Sequence, residues 1–249
     1  MRVHIHDTTE AMSVAAAKHA ADSIRQAIAD RGHAAIVLAT GASQFGMLEN
    51  LTAAPDIDWS AVTAYHLDEY CGVDREHPVS FRRYMRERFT DQVPTLKRFI
   101  WINADEEDLG AEINRLNADI AANRIDVACI GIGENGHLAF NEPPADFEAT
   151  SPYLLVKLDD VSRQQQVGEG WFSSLDDVPE TAISMSLQQI LKSKRLIVTV
   201  PDSRKAAAVG AALEGAIDRA CPASVLRVHQ DVSVYLDAPA ASKLRYFST

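Results

Sequence analysis

Residues 129–144 read CIGIGENGHLAFNEPP. An apolar run meets two glycines and then enters a polar turn carrying Asn135, His137, Asn141 and Glu142. A strand ending in a plain reversal has no use for those side chains, whereas a site opening at the carboxyl edge of a parallel sheet does. Side chains of different intrinsic acidity held so close together suit proton transfer better than simple binding. Gly131 and Gly133 permit close backbone approach, and Gly136 permits a turn with positive φ. His137 then projects from the turn, with Glu142 able to fold back towards it. A lone histidine is more often structural, but one in a glycine turn with a carboxylate in reach is not alone.

Working outward, short apolar and β-branched runs recur along the chain. They predict strands at 2–6, 34–39, 62–67, 98–102, 127–132, 196–200, 225–229 and 232–236. Amphipathic patterns between them predict helices at 8–30, 43–51, 79–89, 106–122 and 203–214. Thr8 with Glu10 and an alanine-rich run has the signature of a capped helix start. Continuous apolar strands alternating with helices specify an α/β protein with a mostly parallel sheet covered on both faces. No repeat, low-complexity tract or linker divides the 249 residues, which predicts a single domain. One segment, 143–179, breaks the alternation with prolines, Gly168, Gly170 and many polar residues. A stretch this irregular beside a site is either a lid, the expectation taken here, or a structural excursion.

Composition narrows the function. The formal net charge of −11 argues against nucleic acid or an anionic membrane as the main partner. A phosphorylated small molecule can still bind where the surface is locally basic and rich in backbone amides. Cys71, Cys129 and Cys221 are widely spaced and form no metal-like pair. Without a long apolar run or a recognisable signal peptide, the cytoplasm is the expected location.

Three further constellations fall at strand ends. In LATGASQFGMLE (38–49) a strand gives way to a Thr-Gly-Ala-Ser turn and a helix near Ser43. Amides at that helix start and the Thr40 and Ser43 hydroxyls are suited to a phosphate; the plain alternative is an N-cap at Ser43. In YHLDEYCG (65–72), Asp68 and Glu69 follow a strand directly. A desolvated carboxylate there is a candidate general base; the alternative is two solvated acids at a turn, and His66 reads as a packing residue. Finally, Lys205 follows Pro201-Asp202-Ser203-Arg204 at a helix start, a poor place for a cation unless an anion binds. Arg163, in the irregular segment, is a candidate to close over the same anion, with an ordinary surface role as the alternative.

Taken together, HLDEYCGV (66–73), EHPVSF (76–81), GIGENGHLAFNEP (131–143) and the run from AISMSL through SRKAAAV and LEG resemble the glucosamine-6-phosphate deaminase family nearly end to end. The resemblance implies a Rossmann-like three-layer α/β/α sandwich. It implies an amino sugar 6-phosphate substrate, glucosamine 6-phosphate converted to fructose 6-phosphate and ammonia by aldose–ketose isomerisation, in an enzyme of hydrolase/isomerase type. It implies Asp68 as the base between C1 and C2, His137 in ring opening with Glu142 supporting it, and Thr40, Gly41, Ala42, Ser43, Arg163 and Lys205 at the phosphate. It implies no metal and no organic cofactor. A homo-oligomer and a monomer are both compatible with it.

The chain departs from the family pattern at two places. Many members carry Asp where this chain has Asn135. An amide can orient His137 through its carbonyl oxygen but brings no negative charge to the imidazole; Glu134 is a candidate to supply it. The phosphate turn reads TGASQ (40–44), where a second glycine and a Thr-Pro are common. The competing enzymatic reading is a 6-phosphogluconolactonase-like hydrolase, which needs the histidine turn and phosphate pocket but no enolising carboxylate. Galactosamine 6-phosphate is an open alternative substrate. A sugar-phosphate-sensing regulator would need a DNA-binding module or a basic face, and with neither legible in these 249 residues that role is not expected.

Overall fold

A computed structural model of the chain describes residues 1–158, 160–168, 170 and 172–246. Ten strands occur among them: β1 (Arg2–His6), β2 (Ala34–Leu38), β3 (Val62–His66), β4 (Asp68–Tyr70), β5 (Arg98–Ile100), β6 (Val127–Ile130), β7 (Tyr153–Lys157), β8 (Thr181–Met185), β9 (Arg195–Val200) and β10 (Val232–Asp237). Eight α-helices accompany them: α1 (Thr9–Arg31), α2 (Phe45–Thr52), α3 (Phe81–Met85), α4 (Leu109–Ala121), α5 (Asp160–Gly168), α6 (Leu187–Leu191), α7 (Ala206–Glu214) and α8 (Ala238–Ala241).

Seven strands form one parallel sheet in the order β1-β10-β9-β6-β2-β3-β5. The central strands are apolar throughout because both their faces are covered. In β2, Ala35 and Val37 enter a core shared with Leu116 and Ile120 of α4 and Val209 of α7. Ala34, Ile36 and Leu38 enter the opposite core with α1 and α2. This is the three-layer sandwich expected, split by the two-residue period of the strand. Helix α1 lies close to its neighbours because its buried stripe is mostly alanine, at Ala16, Ala17, Ala20, Ala21 and Ala27. Thr8 caps it by accepting from the Ala11 amide, and Gly32, at φ 75°, ends it.

The chain reverses its direction of travel across the sheet between β2 and β6. Adjacent parallel strands whose connections leave in opposite directions open a crevice at their carboxyl ends. The Thr40–Ser43 turn and the Gly131–Gly133 turn are the two lips of that crevice.

The structure corrects three expectations. Residues 225–229 are not a strand but belong to a 3₁₀ helix, Pro222–Val228. Its Ala223, Val225 and Leu226 are buried, and a short buried apolar run cannot be told from a strand by periodicity. Strands β4, β7 and β8 went unpredicted and form a second, antiparallel sheet in the order β4-β8-β7. It encloses its own aromatic core, in which Tyr70 meets Phe81, Phe140 and Phe172 edge-on or tilted while Phe81 stacks on Phe140. Segment 143–179 is therefore not one irregular stretch, since it supplies β7 to that sheet and then α5. No described helix is long and apolar enough to cross a membrane.

Candidate active site

A cavity of about 950 Å³ fills the crevice. It is lined by Thr40, Gly41, Ala42 and Ser43 after β2, by Asp68 of β4, and by Gly131, Gly133 and His137 after β6. Lys205, from the turn after β9, lines it as well. Four strand ends thus converge, and most of the residues singled out in the sequence meet in one place.

The two acids of HLDEY separate by strand alternation. Glu69 faces inward and is fully buried. Its carboxylate accepts from the amides of Tyr70, Phe81 and Arg82 and from the Ser80 hydroxyl, with Arg82 Nε 3.4 Å away. It therefore anchors the EHPVSF segment at the start of α3. Burial still raises its pKa against the pull of those bonds. Asp68 faces the cavity, is 5% exposed, and has one carboxylate oxygen, Oδ1, without a hydrogen-bond partner. Burial first, then the neighbouring Glu69 and Glu142, push its carboxyl well above the usual carboxylate range. A carboxylate so placed, desolvated and with an open oxygen, is a proton acceptor awaiting a partner. His66 is buried, accepts the Ile102 amide at Nε2, and has its pKa pushed down to about 3 by burial. It is a neutral packing residue, as its position at the end of β3 indicated.

The glycine turn closes on itself through the Gly133 amide to the His137 carbonyl at 3.0 Å. Gly136 takes the positive φ, 86°, that the turn requires. His137 Nδ1 lies 3.3 Å from Glu142 Oε1. Asn135 does not orient the imidazole. Its carbonyl accepts the backbone amide of His137 at 3.0 Å, and its amide donates to Glu142 Oε2 at 2.7 Å. The amide thus holds the carboxylate that faces the histidine. Asn141 turns inward to the carbonyls of Leu138 and Met185, fastening the turn to β8. Glu134 pairs with Arg204 at 3.5 Å and Lys205 at 3.8 Å, on the basic side of the cavity.

Gly133 is needed for a second reason, since a Cβ there would lie 2.3–2.4 Å from the His137 ring. Gly133→Ala is expected to displace the imidazole and lower kcat/KM by about 10²-fold, because misplacement by about 1 Å has that cost. The fold is expected to persist, because the clash falls on one side chain and not on the backbone; an active variant would refute this role.

At the anion side, the turn after β2 is a 3₁₀ turn, Ala42–Gln44, entered from Gly41 at φ 100° with no side-chain cap. The Ser43 hydroxyl is thus not consumed as an N-cap and lines the cavity. Tyr84 of α3, which no sequence signal marked, donates to the Gly41 carbonyl at 2.9 Å. Arg88 lies over the Phe45 ring at 3.6 Å, on the cavity wall. Lys205 is 13% exposed at its side chain. Arg163 is not in the cavity lining. Its guanidinium donates to the carbonyls of Leu175 and Val178 and pairs with Asp160, fixing the loop that follows α5. Helix α5 instead brings Gln166 and Gly168 to the cavity wall. Among the described residues no group of three or more His, Cys, Asp or Glu is arranged to hold a metal ion.

Residues 7–235 match the family of glucosamine-6-phosphate isomerases and 6-phosphogluconolactonases. The chain belongs to this family. A glucosamine-6-phosphate deaminase of Lactobacillus delbrueckii subsp. bulgaricus is 33% identical, over 92% of this chain and 94% of its own. A second glucosamine-6-phosphate deaminase, of Bacillus thuringiensis, is 35% identical over 88% of this chain and 81% of its own. The solved structure of a monomeric glucosamine-6-phosphate deaminase superposes with a TM-score of 0.86 and 34% identity, covering 98% of this chain and 100% of that one. The 6-phosphogluconolactonase of Trypanosoma brucei superposes at 0.80 with 17% identity, covering 98% of each chain. That last likeness carries the fold alone, so within the family the sequence kinship runs to the deaminase and isomerase branch.

Proposed function

We propose that this member of the family deaminates glucosamine 6-phosphate, isomerising the aldose to fructose 6-phosphate with release of ammonia. The observation that carries the reading is Asp68, a buried carboxylate with an open oxygen. It faces the same cavity as the hydroxyl-bearing turn Thr40–Ser43 and Lys205. Lactone hydrolysis has no step for a desolvated base that enolises carbon.

The steps follow from placement. Phosphate at Thr40–Ser43 and Lys205 anchors the far end of the sugar, and that binding energy holds C1 and C2 against Asp68. His137, backed by Glu142, moves the proton that opens the ring. Asp68 takes the C2 proton of the open aldehyde as O1 gains a proton, giving a C1–C2 enolamine; it then returns its proton to C1 as the amine nitrogen gives one up, leaving an imine at C2. Water adds there and ammonia leaves, so one water is consumed for each ammonia released. We read α5 as the cover of the cavity. The test is ammonia release on glucosamine 6-phosphate and galactosamine 6-phosphate, run beside hydrolysis of 6-phosphogluconolactone. Lactone hydrolysis without ammonia release would overturn the reading.

Asn135→Asp sharpens it. The substitution sets two carboxylates 2.7 Å apart where an amide now donates to Glu142. Two acids that close cannot both ionise, so the pair retains a proton. The kcat/KM profile across the range in which an imidazole titrates, about pH 5–8, is expected to shift relative to the parent enzyme. An unchanged profile would show that the amide is interchangeable with an acid.

A further inference from the structure

Gln44 occupies the position where the family pattern commonly has proline, and it is completely buried behind the cavity rather than lining it. Its side chain crosses three adjacent strand ends. The Thr199 hydroxyl, on β9, donates to Gln44 Oε1 at 2.9 Å. Gln44 Nε2 donates to the Thr199 carbonyl at 3.4 Å and to Ser43 Oγ at 3.2 Å. The amide is assigned with its NH₂ group towards the Thr199 carbonyl, because a main-chain carbonyl can only accept. Between β9 and β2 lies the end of β6. Gly131 is what lets the amide pass, since a Cβ there would lie 3.0 Å from Gln44 Nε2 and 3.4 Å from Ser43 Oγ.

The consequence falls on Ser43. A hydroxyl has one proton to give and two lone pairs. With one lone pair occupied by the Gln44 amide, the Ser43 proton is left to be donated, and the cavity is the side on which Ser43 lies open. The chain Thr199 to Gln44 to Ser43 is therefore polarised towards the cavity. It also ties the turn after β2 to the end of β9, six residues before Lys205. Proline at 44 can do neither, and would lose the amide that donates to the Gly41 carbonyl at 3.0 Å.

We propose that Gln44 is a positioning residue for the anion subsite, fixing Ser43 as a hydrogen-bond donor to the phosphate of the substrate and joining the two phosphate-facing turns. This rests on the phosphate reading given above.

The test measures KM for glucosamine 6-phosphate and competitive inhibition by inorganic phosphate in Gln44→Met, Ser43→Ala and the double variant. Methionine keeps the length of the side chain and removes its hydrogen bonds. Each single variant is expected to raise KM and the phosphate inhibition constant about three- to tenfold, with kcat within about twofold, as befits one hydrogen bond lost or misdirected. The double variant should be no weaker than about twofold beyond the worse single, because both substitutions break the same contact. Thr199→Val, which removes only the hydroxyl that orients the amide, should move the same constants in the same direction and carries the test if Gln44→Met melts early. Independent, multiplicative losses, or a fall in kcat with unchanged phosphate inhibition, would overturn the proposal. If Ser43→Ala and Lys205→Ala both leave phosphate inhibition unchanged while Asp68→Asn still stops turnover, the phosphate assignment itself fails.

Discussion

Asp68→Asn is expected to lower kcat by about 10²–10⁴-fold, the usual contribution of a positioned general base, while inhibition by inorganic phosphate stays at the parent value. The split follows from placement: Asp68 belongs to β4, whereas the turns that face the anion follow β2 and β9. The same substitution should not cost stability. Asp68 is buried with Oδ1 unpartnered, so the ionised form is a burden that the amide relieves. The sign of the pH effect is fixed by the direction of the shift. Burial, Glu69 and Glu142 raise the folded carboxyl above its unfolded value. Between those two values the native state holds a proton that the unfolded chain has released, so the parent loses stability as pH rises through that window. The melting temperature of Asp68→Asn relative to the parent should therefore climb with pH. The acid limb of the parent kcat/KM profile should lie above the ordinary carboxylate range for the same reason. A variant that retains turnover, or a melting difference that is flat with pH, would remove Asp68 from its role.

Lys205→Ala is expected to raise KM for the sugar phosphate roughly ten- to hundredfold, the equivalent of about 1.5–3 kcal/mol for a hydrogen bond to a charged group, with kcat less affected. The side chain is 13% exposed and faces a cavity in a chain of net charge −11, so salt should screen its effect only weakly. Its removal also leaves Glu134 with less positive charge opposite it, which adds repulsion to the lost attraction. Steady-state kinetics with phosphate as competitor would check this; a loss confined to kcat would place Lys205 at the reacting carbons instead.

Much of this site is local in the sequence. The turn 131–142 folds on itself through Asn135, Gly136, His137 and Glu142, and short-range contacts of that kind are legible from spacing. The strand ends that carry Thr40, Asp68, His137 and Lys205 are legible too, because apolar runs fix the strands and a parallel sheet collects their carboxyl ends at one edge. Less legible was anything decided by a partner distant in the chain. The family resemblance singles out Asp68, but what turns it rather than Glu69 to the cavity is β4 pairing with β8, more than a hundred residues later, which sends the other acid to the start of α3. Arg163 fits an anion clamp by residue type, yet the carbonyls of Leu175 and Val178 take its donors.

The sequence by itself determined the parallel sheet, the edge at which the site opens and the family, because each rests on hydrophobic period and on motifs a few residues long. Only the tertiary structure decided which side chains face the cavity, what Asn135 holds, and that Gln44 spans three strand ends to reach Thr199. Those are contacts between segments whose neighbours in space are remote in the chain, and packing alone assigns them.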